Sequence, residues 1–174
     1  FLINIINIIG FQIGWWFCAL GAQNSLDYIG PIYMLAFVIV HMVFFSKKYS
    51  EFILIIIGIF LGLIVDSSLK YFNIINYLST DIQATFAPLW IVAMWGGFCA
   101  TLNHSLSWLK NRLLASFILG AVFGPLSYIA GLKMNIIFFI ISPINAVIVL
   151  AIVWGISIPF LFWLNDKLTY VLKK

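Results

Sequence analysis

Asp66 is the only acidic residue placed well inside an apolar stretch of this sequence, and it is the strongest candidate for a functional side chain. A carboxylate at bilayer depth costs about 3 kcal/mol on insertion scales, so such residues often mark ligand, ion or proton sites. Gly58 and Gly62 precede it at a spacing of four, which places all three on one helical face. The pattern predicts either a ligand or proton role or a structural hydrogen bond.

A second apolar stretch carries the same pattern, with Ser116, Gly120, Gly124 and Tyr128 at four-residue spacing. Small residues at this spacing allow two helices to approach closely. Counted at about 1.5 Å per residue from the same side, Asp66 and Tyr128 lie at similar depth. We therefore expect the tyrosine hydroxyl to lie near the carboxylate.

Two polar layers follow from the same counting of depth. Trp90 and Trp95 belong to the layer around the carboxylate, and His41, Asn103 and His104 form an inner layer. The candidate ligand-binding residues are Asp66, Tyr128, Trp90, Trp95, Asn103 and His104. The predicted helix-packing residues are Gly58, Gly62, Gly120 and Gly124.

The sequence contains no recognisable catalytic motif. It has neither a Gly-x-Ser-x-Gly elbow nor a His-Glu-x-x-His helix, so no catalytic residue is assigned and an enzyme is disfavoured. For His41 and His104, a structural hydrogen bond is favoured over metal ligation because no carboxylate is expected beside them. We therefore predict no metal site and no cofactor.

The composition determines the class of protein. The 174 residues are 64% hydrophobic and only 8% charged, with a mean hydropathy of +1.15. A soluble domain of this size must present polar groups to water, whereas a membrane bundle must not. The class is therefore an all-α polytopic membrane protein. Membrane lipids are the expected partners, and nucleic acid is not, because the basic residues lie singly or in pairs at the ends of apolar runs.

Six apolar segments predict six transmembrane helices in one compact bundle, forming a single domain over 1–174. Ser50 and Glu51 are expected to cap the third segment, and 71–78 to lie at the membrane interface. No sequence repeat is visible, and 133–142 is either a re-entrant piece or the start of the sixth span. The predicted spans are 3–22, 29–46, 52–69, 87–109, 113–132 and 143–164.

Positive charges predict the orientation of these spans. Seven of the nine Lys and Arg residues fall on one side of a six-span arrangement and two fall on the other. Basic loops remain in the cytoplasm, so both termini are expected to be cytoplasmic.

A family resemblance is carried by Gly14-Trp15, Pro88–Trp90, Trp95, Phe98, Thr101–Leu109, Gly120–Tyr128 and the Gly-x-x-x-Asp of the third span. Together these segments resemble a family of small multispan bacterial inner-membrane proteins known only as a domain of unknown function. The resemblance covers most of the chain and implies a multi-pass protein of the bacterial inner membrane. A weaker resemblance, in Gly-x-x-x-Asp and Gly-Ala-x-x-Gly-Pro, is to the substrate-binding membrane subunits of energy-coupling-factor vitamin transporters.

Three functional hypotheses remain open. The first is binding or transport of a small amphiphilic or lipid-like ligand in a pocket between spans one, three, four and five, near Asp66. The second is an accessory or scaffold subunit of membrane lipid-modifying enzymes, with no enclosed cavity and with Asp66 satisfied by its neighbours. The third is a lipid enzyme, which needs Asp66 or His104 in a lipid-accessible cleft with a second titratable group in reach.

Overall fold

The structure, a computed structural model, describes residues 2–46, 48–80 and 85–172. Six α-helices account for most of these residues, which confirms the all-α class. The helices are α1 (Leu2–Gln23), α2 (Ile29–Val40), α3 (Tyr49–Tyr71), α4 (Leu89–Cys99), α5 (Leu113–Lys133) and α6 (Pro143–Val171).

Four of the helices are long and apolar enough to cross a membrane. These are α1, α3, α5 and α6, with 22, 23, 21 and 29 residues. The other two are shorter, with 12 residues in α2 and 11 in α4. One π-helical turn, His41–Phe45, continues α2 toward the length that the sequence predicted. The length and composition of the four helices support a membrane protein.

The predicted span 87–109 is regular α-helix only in its first half. After Cys99 the chain continues in turns, with Thr101 N–H bonded to Phe98 O and His104 N–H bonded to Thr101 O, and ends in the 3₁₀ turn Ser107–Leu109. Thr, Asn and Ser side chains compete for backbone groups and so weaken a helix. In this segment the Thr101 hydroxyl donates to Phe98 O at 2.6 Å.

Two short strands lie outside the helices. β1 (Ile75–Tyr77) pairs antiparallel with β2 (Ile137–Phe139), with Ile75 opposite Phe139 and Tyr77 opposite Ile137. The segment 133–142 therefore contains β2 and is not the start of α6, which begins at Pro143. The alternative of a re-entrant piece stays a prediction. The segment 71–78 contains β1 and is not the expected amphipathic turn, because Ile75 and Tyr77 are paired in the strand and buried. Its position at the membrane interface stays a prediction.

The chain contains a threefold internal repeat, contrary to the expectation from sequence. Each odd-numbered helix carries two glycines four residues apart and then a third residue four positions later. The residue seven positions after that third residue has a positive φ. The backbone N–H of the residue that follows it donates to the carbonyl five positions earlier, as in a Schellman cap. The motifs are Gly10-Gly14-Cys18, Gly58-Gly62-Asp66 and Gly120-Gly124-Tyr128. The left-handed residues are Ser25, Asn73 and Asn135, and the cap bonds are Leu26 to Gly21, Ile74 to Leu69 and Ile136 to Gly131, of 2.8, 2.9 and 3.0 Å.

The repeat unit is a helical hairpin. α1 packs on α2, α3 on α4 and α5 on α6. The second glycine of each motif faces a bulky side chain of the return helix, and a Cβ built there would lie 2.8 Å or less from it. These facing pairs are Gly14 with Met34, Gly62 with Trp95 and Gly124 with Trp154. Glycine is needed at these positions because the helix backbone lies directly against a side chain.

Candidate functional site: an apolar cleft and two buried polar clusters

Asp66 lies at the centre of the first polar cluster and is fully buried. Its Oδ1 accepts hydrogen bonds from the hydroxyls of Tyr77, at 2.7 Å, and Tyr128, at 2.5 Å. Its Oδ2 accepts one from Nε1 of Trp95 at 2.6 Å. The predicted contact with Tyr128 is therefore present. Three donors satisfy the carboxylate inside the protein, which is the usual requirement for a buried charge.

The stripes of small residues on α3 (Gly58 and Gly62) and on α5 (Gly120 and Gly124), which we call seams, do not face each other, contrary to expectation. Gly58 lies against Cys99 and Gly62 against Trp95, so the α3 seam accommodates α4. Gly120 and Gly124 both lie against Trp154 of α6. The four glycines are packing positions, as predicted, but the helices they admit are α4 and α6. Asp66 and Tyr128 meet because the tyrosine side chain is long enough to reach across.

Tyr77 was missing from the sequence-based site. It lies on β1, in a segment expected at the membrane interface, yet its side chain is only 5% exposed. Burial, and then the neighbouring Asp66 charge, raise the pKa of Tyr77 well above its ordinary value of 10.0, so it keeps the proton that it donates. The alternation of apolar and polar residues in Ile75-Asn76-Tyr77 is the signal for a half-buried strand.

A cleft of about 750 Å³ lies beside this cluster, between α1, α4, α5 and α6. Three of the candidate ligand-binding residues, Trp90, Trp95 and Tyr128, line it. Asp66 does not line it, because the Trp95 and Tyr128 side chains that bond the carboxylate form the wall. The pocket was expected between spans one, three, four and five, but α6 takes the place of the third span. α6 contributes Trp154 and Ile158, and α3 contributes none of the lining residues.

The cleft is lined mainly by aromatic and aliphatic side chains. Two of its polar residues are internally bonded, Ser127 to Gly124 O and Thr101 to Phe98 O. The amide of Gln12 and the ammonium of Lys133 also line it and are exposed. At the Lys133 end, Nε2 of Gln23 donates to the carbonyl of Met134 at 3.2 Å and links α1 to the chain after α5.

The second polar cluster lies at the other end of α3, around Glu51. His41 Nε2 lies 2.9 Å and His104 Nε2 lies 3.2 Å from the same oxygen, Oε1. The Ser46 hydroxyl donates to the other oxygen. Glu51 is 1% exposed and His41 is fully buried. The expectations that Glu51 is a helix cap and that the histidines have no carboxylate beside them are therefore wrong.

The sequence missed Glu51 because it stands at the start of a helix, where acidic residues are commonly exposed. His41 and His104 do share one layer, as expected, with ring centroids 4.6 Å apart. Asn103 turns away from them and exchanges two hydrogen bonds, of 2.9 and 2.8 Å, with Asn165. A cavity of about 310 Å³ adjoins the cluster and is lined by Phe44, Phe45, Ser46, Lys48, Glu51, Asn103 and His104.

The predicted ligand-binding residues thus separate into two groups. Trp90, Trp95 and Tyr128 line the cleft, with Asp66 behind them, while Asn103 and His104 line the smaller cavity. Residues 4–160 match the family model described as a protein of unknown function, DUF2878. The chain belongs to this family. A search of curated proteins and a search of solved structures each give no match. Because the match covers nearly the whole DUF2878 chain, it includes both polar clusters and the cleft.

Proposed function

We propose that this DUF2878 protein binds a single-chain anionic amphiphile in the cleft between α1 and α5. The observation that carries the proposal is the cleft itself, an apolar cavity of about 750 Å³ flanked by two helices that pack on other neighbours. Ligand cavities of roughly 300–1,000 Å³ with few polar groups are typical of small-molecule sites.

The chemistry of the lining selects an acyl chain. Phe11, Trp15 and Trp16 of α1 face Phe123 and Leu126 of α5 across the cleft. An acyl chain has no polar group to desolvate, and it enters such a surface from lipid tails of similar apolar character at no desolvation cost. A chain of several methylenes can therefore bind without a polar partner along its length.

A positive charge defines the expected head group. Lys133 lines the cleft in the last turn of α5, and Gln12 lines it on α1. An ammonium favours a carboxylate or phosphate head group. Gln12 lies too far from the Lys133 end to share that head group, because Gln23 marks that end and is eleven residues further along α1. Asp66 has a structural role in this proposal, because three protein donors already satisfy it.

The proposed setting is the bacterial inner membrane, with six spans and both termini in the cytoplasm. The hairpin repeat supports this topology. In the third hairpin the return helix is α6, and α2 and α4 are the equivalent return helices of the first two hairpins. Reporter domains fused after Asn111 and after Ser79 test it. A cytoplasmic signal at the first position and an external one at the second are expected, and equal signals would contradict six spans.

Binding can be measured with cis-parinaric acid, a fluorescent fatty acid, by energy transfer from the tryptophans that line the cleft. Ala130→Phe fills the cleft from α5 and should weaken binding at least tenfold, equivalent to about 1.4 kcal/mol. Ala121→Phe is the matched control on the same helix, outside the lining, and should bind as the wild type does. Equal affinities of all three proteins would overturn the proposal.

A further inference from the structure

Three side chains converge on one point at the second polar cluster. Nε2 of His41 and Nε2 of His104 approach a single oxygen of Glu51 at 2.9 and 3.2 Å. One ligand atom from each of the three residues can be chosen so that all lie within 4.8 Å of one another. We propose that these residues form a binding site for a divalent transition metal, with Zn²⁺ the best-matched ion.

The distances suit zinc. Histidine nitrogens bind Zn²⁺ at about 2.0–2.1 Å and carboxylate oxygens at about 2.0–2.2 Å, so tetrahedral ligand atoms lie roughly 3.3 Å apart. The two observed separations, 2.9 and 3.2 Å, are close to this value. Small side-chain rotations would therefore admit an ion. Two histidines and a glutamate are also a ligand set of catalytic zinc sites, which keep a fourth position open.

The fourth coordination position of such a metal would face a cavity in the structure. His104, which is 14% exposed, and Glu51 both line the cavity of about 310 Å³, whereas His41 is buried and does not line it. Lys48 lines the same cavity. A metal held by the three side chains would thus face water or the oxygen atom of an anionic substrate on this side only. This site lies apart from the α1–α5 cleft and does not depend on it.

Asn7 provides a second test through the proton on His41. The Asn7 amide nitrogen donates to Ala100 O at 3.1 Å and lies 3.3 Å from Nδ1 of His41, so Nδ1 accepts and Nε2 carries the proton toward Glu51. Metal binding at Nε2 moves that proton to Nδ1, which then needs an acceptor. In the wild type, rotation of the Asn7 amide would supply this acceptor. It would lose the bond to Ala100 O and the bonds that Oδ1 accepts from the Ser105 N–H and hydroxyl. A carboxylate at position 7 supplies one directly, as in carboxylate–histidine–zinc triads.

The experiment uses the full chain with an affinity tag that contains no histidine, stripped with a chelator and titrated with Zn²⁺ or Co²⁺. We expect one metal ion per chain by elemental analysis and the visible absorption of tetrahedral Co²⁺. Glu51→Gln and His104→Gln should each lower the affinity at least ~100-fold. Asp166→Asn is the carboxylate-to-amide control, since Asp166 is 44% exposed and pairs with Lys110. It should bind as the wild type does.

Gel filtration and helical circular dichroism check that each variant is folded. Asn7→Asp, which keeps all three ligands, should raise the affinity about tenfold. Failure of the wild type to bind either ion would overturn the proposal, as would wild-type binding by Glu51→Gln. An affinity unchanged or lowered in Asn7→Asp would also count against it.

Discussion

The Asp66 carboxylate accepts a 2.5 Å hydrogen bond from the Tyr128 hydroxyl, although their helices pack mainly on other partners. α3 packs on α4 and α6, and α5 packs on α6. The bond therefore links two helical hairpins at a point outside their main helix–helix contacts. Tyr77 extends the link to the β1–β2 pair, because it donates to the same oxygen.

Loss of the Tyr128 hydroxyl should destabilise the bundle. Tyr128→Phe removes one donor to a buried carboxylate, and hydrogen bonds to charged groups contribute about 1.5–3 kcal/mol. Unfolding in mixed detergent micelles measures the change. Tyr49→Phe, at a tyrosine that is 67% exposed, is the control and should have no measurable effect. Equal stability of the two variants would show that the bond does not hold the hairpins together.

The glycine seams should be intolerant of a single methyl group where a ring lies against the backbone. A Cβ at Gly62 would lie 2.2 Å from Trp95, and one at Gly124 would lie 2.3 Å from Trp154. Alanine at either position should cost about 1–3 kcal/mol through overpacking. Thermal unfolding in detergent checks the change.

Gly155 is the control for these substitutions. The three atoms nearest to a Cβ there all belong to the ring of Phe117, the closest at 3.0 Å, and that side chain is 43% exposed. Gly155→Ala should be neutral or should stabilise by up to about 1 kcal/mol through helix propensity. A destabilisation equal to that of Gly62→Ala would contradict the packing role of the seams.

Stability should fall at alkaline pH because of Tyr77. Burial, and then Asp66, raise the pKa of Tyr77 well above the 10.0 of an exposed tyrosine, so above pH 10 the unfolded chain loses a proton that the folded chain keeps. The free energy of unfolding then decreases by up to about 1.4 kcal/mol per pH unit. The contribution is fully present below pH 10 and is lost as pH rises toward the folded-state pKa.

Comparison with Tyr77→Phe isolates this effect, because lysines titrate in the same range in both proteins. The stability difference between wild type and variant should shrink between pH 9 and pH 11, measured by unfolding in detergent. A difference that stays constant would show that Tyr77 titrates normally.

The left-handed residues at the ends of α3 and α5 should tolerate glycine better than alanine. Asn73 and Asn135 have φ of 53° and 57°, where a Cβ is disfavoured and asparagine is among the better-tolerated residues. Asn73→Gly and Asn135→Gly should be near neutral, and the alanine variants should lose about 1 kcal/mol. Asn145→Ala, in the exposed first turn of α6, serves as the control in thermal unfolding. Equal effects of alanine and glycine would argue against the cap.

Some of the site could be predicted from residue types and spacing alone. Asp66 and Tyr128 follow two glycines at the same interval, and counting along two parallel helices places them at one depth. His41 and His104 share a layer for the same reason. Trp90 and Trp95 were expected in the same layer as Asp66, since helical rise is nearly constant.

The sequence could not show which helices pack against each other. Four-residue spacing identifies a face for close packing but carries no information about which helix occupies it, so the α3 seam was paired with α5 instead of α4. Glu51 and Tyr77 were missed because a helix start and an extended connection are usually exposed. The threefold repeat was hidden because its units share only small residues and cap geometry, and the caps are recognisable only from backbone angles.

The sequence by itself determined the all-α class, the apolar character that suits a membrane and the presence of an acid that needs partners. These properties depend on composition and on periodicity within single helices. Only the tertiary structure decided that Asp66 is satisfied by three donors, that the cleft lies between α1 and α5, and that Glu51 meets two histidines. Those outcomes depend on which helix faces join, and that choice is made by contacts between residues far apart in the chain.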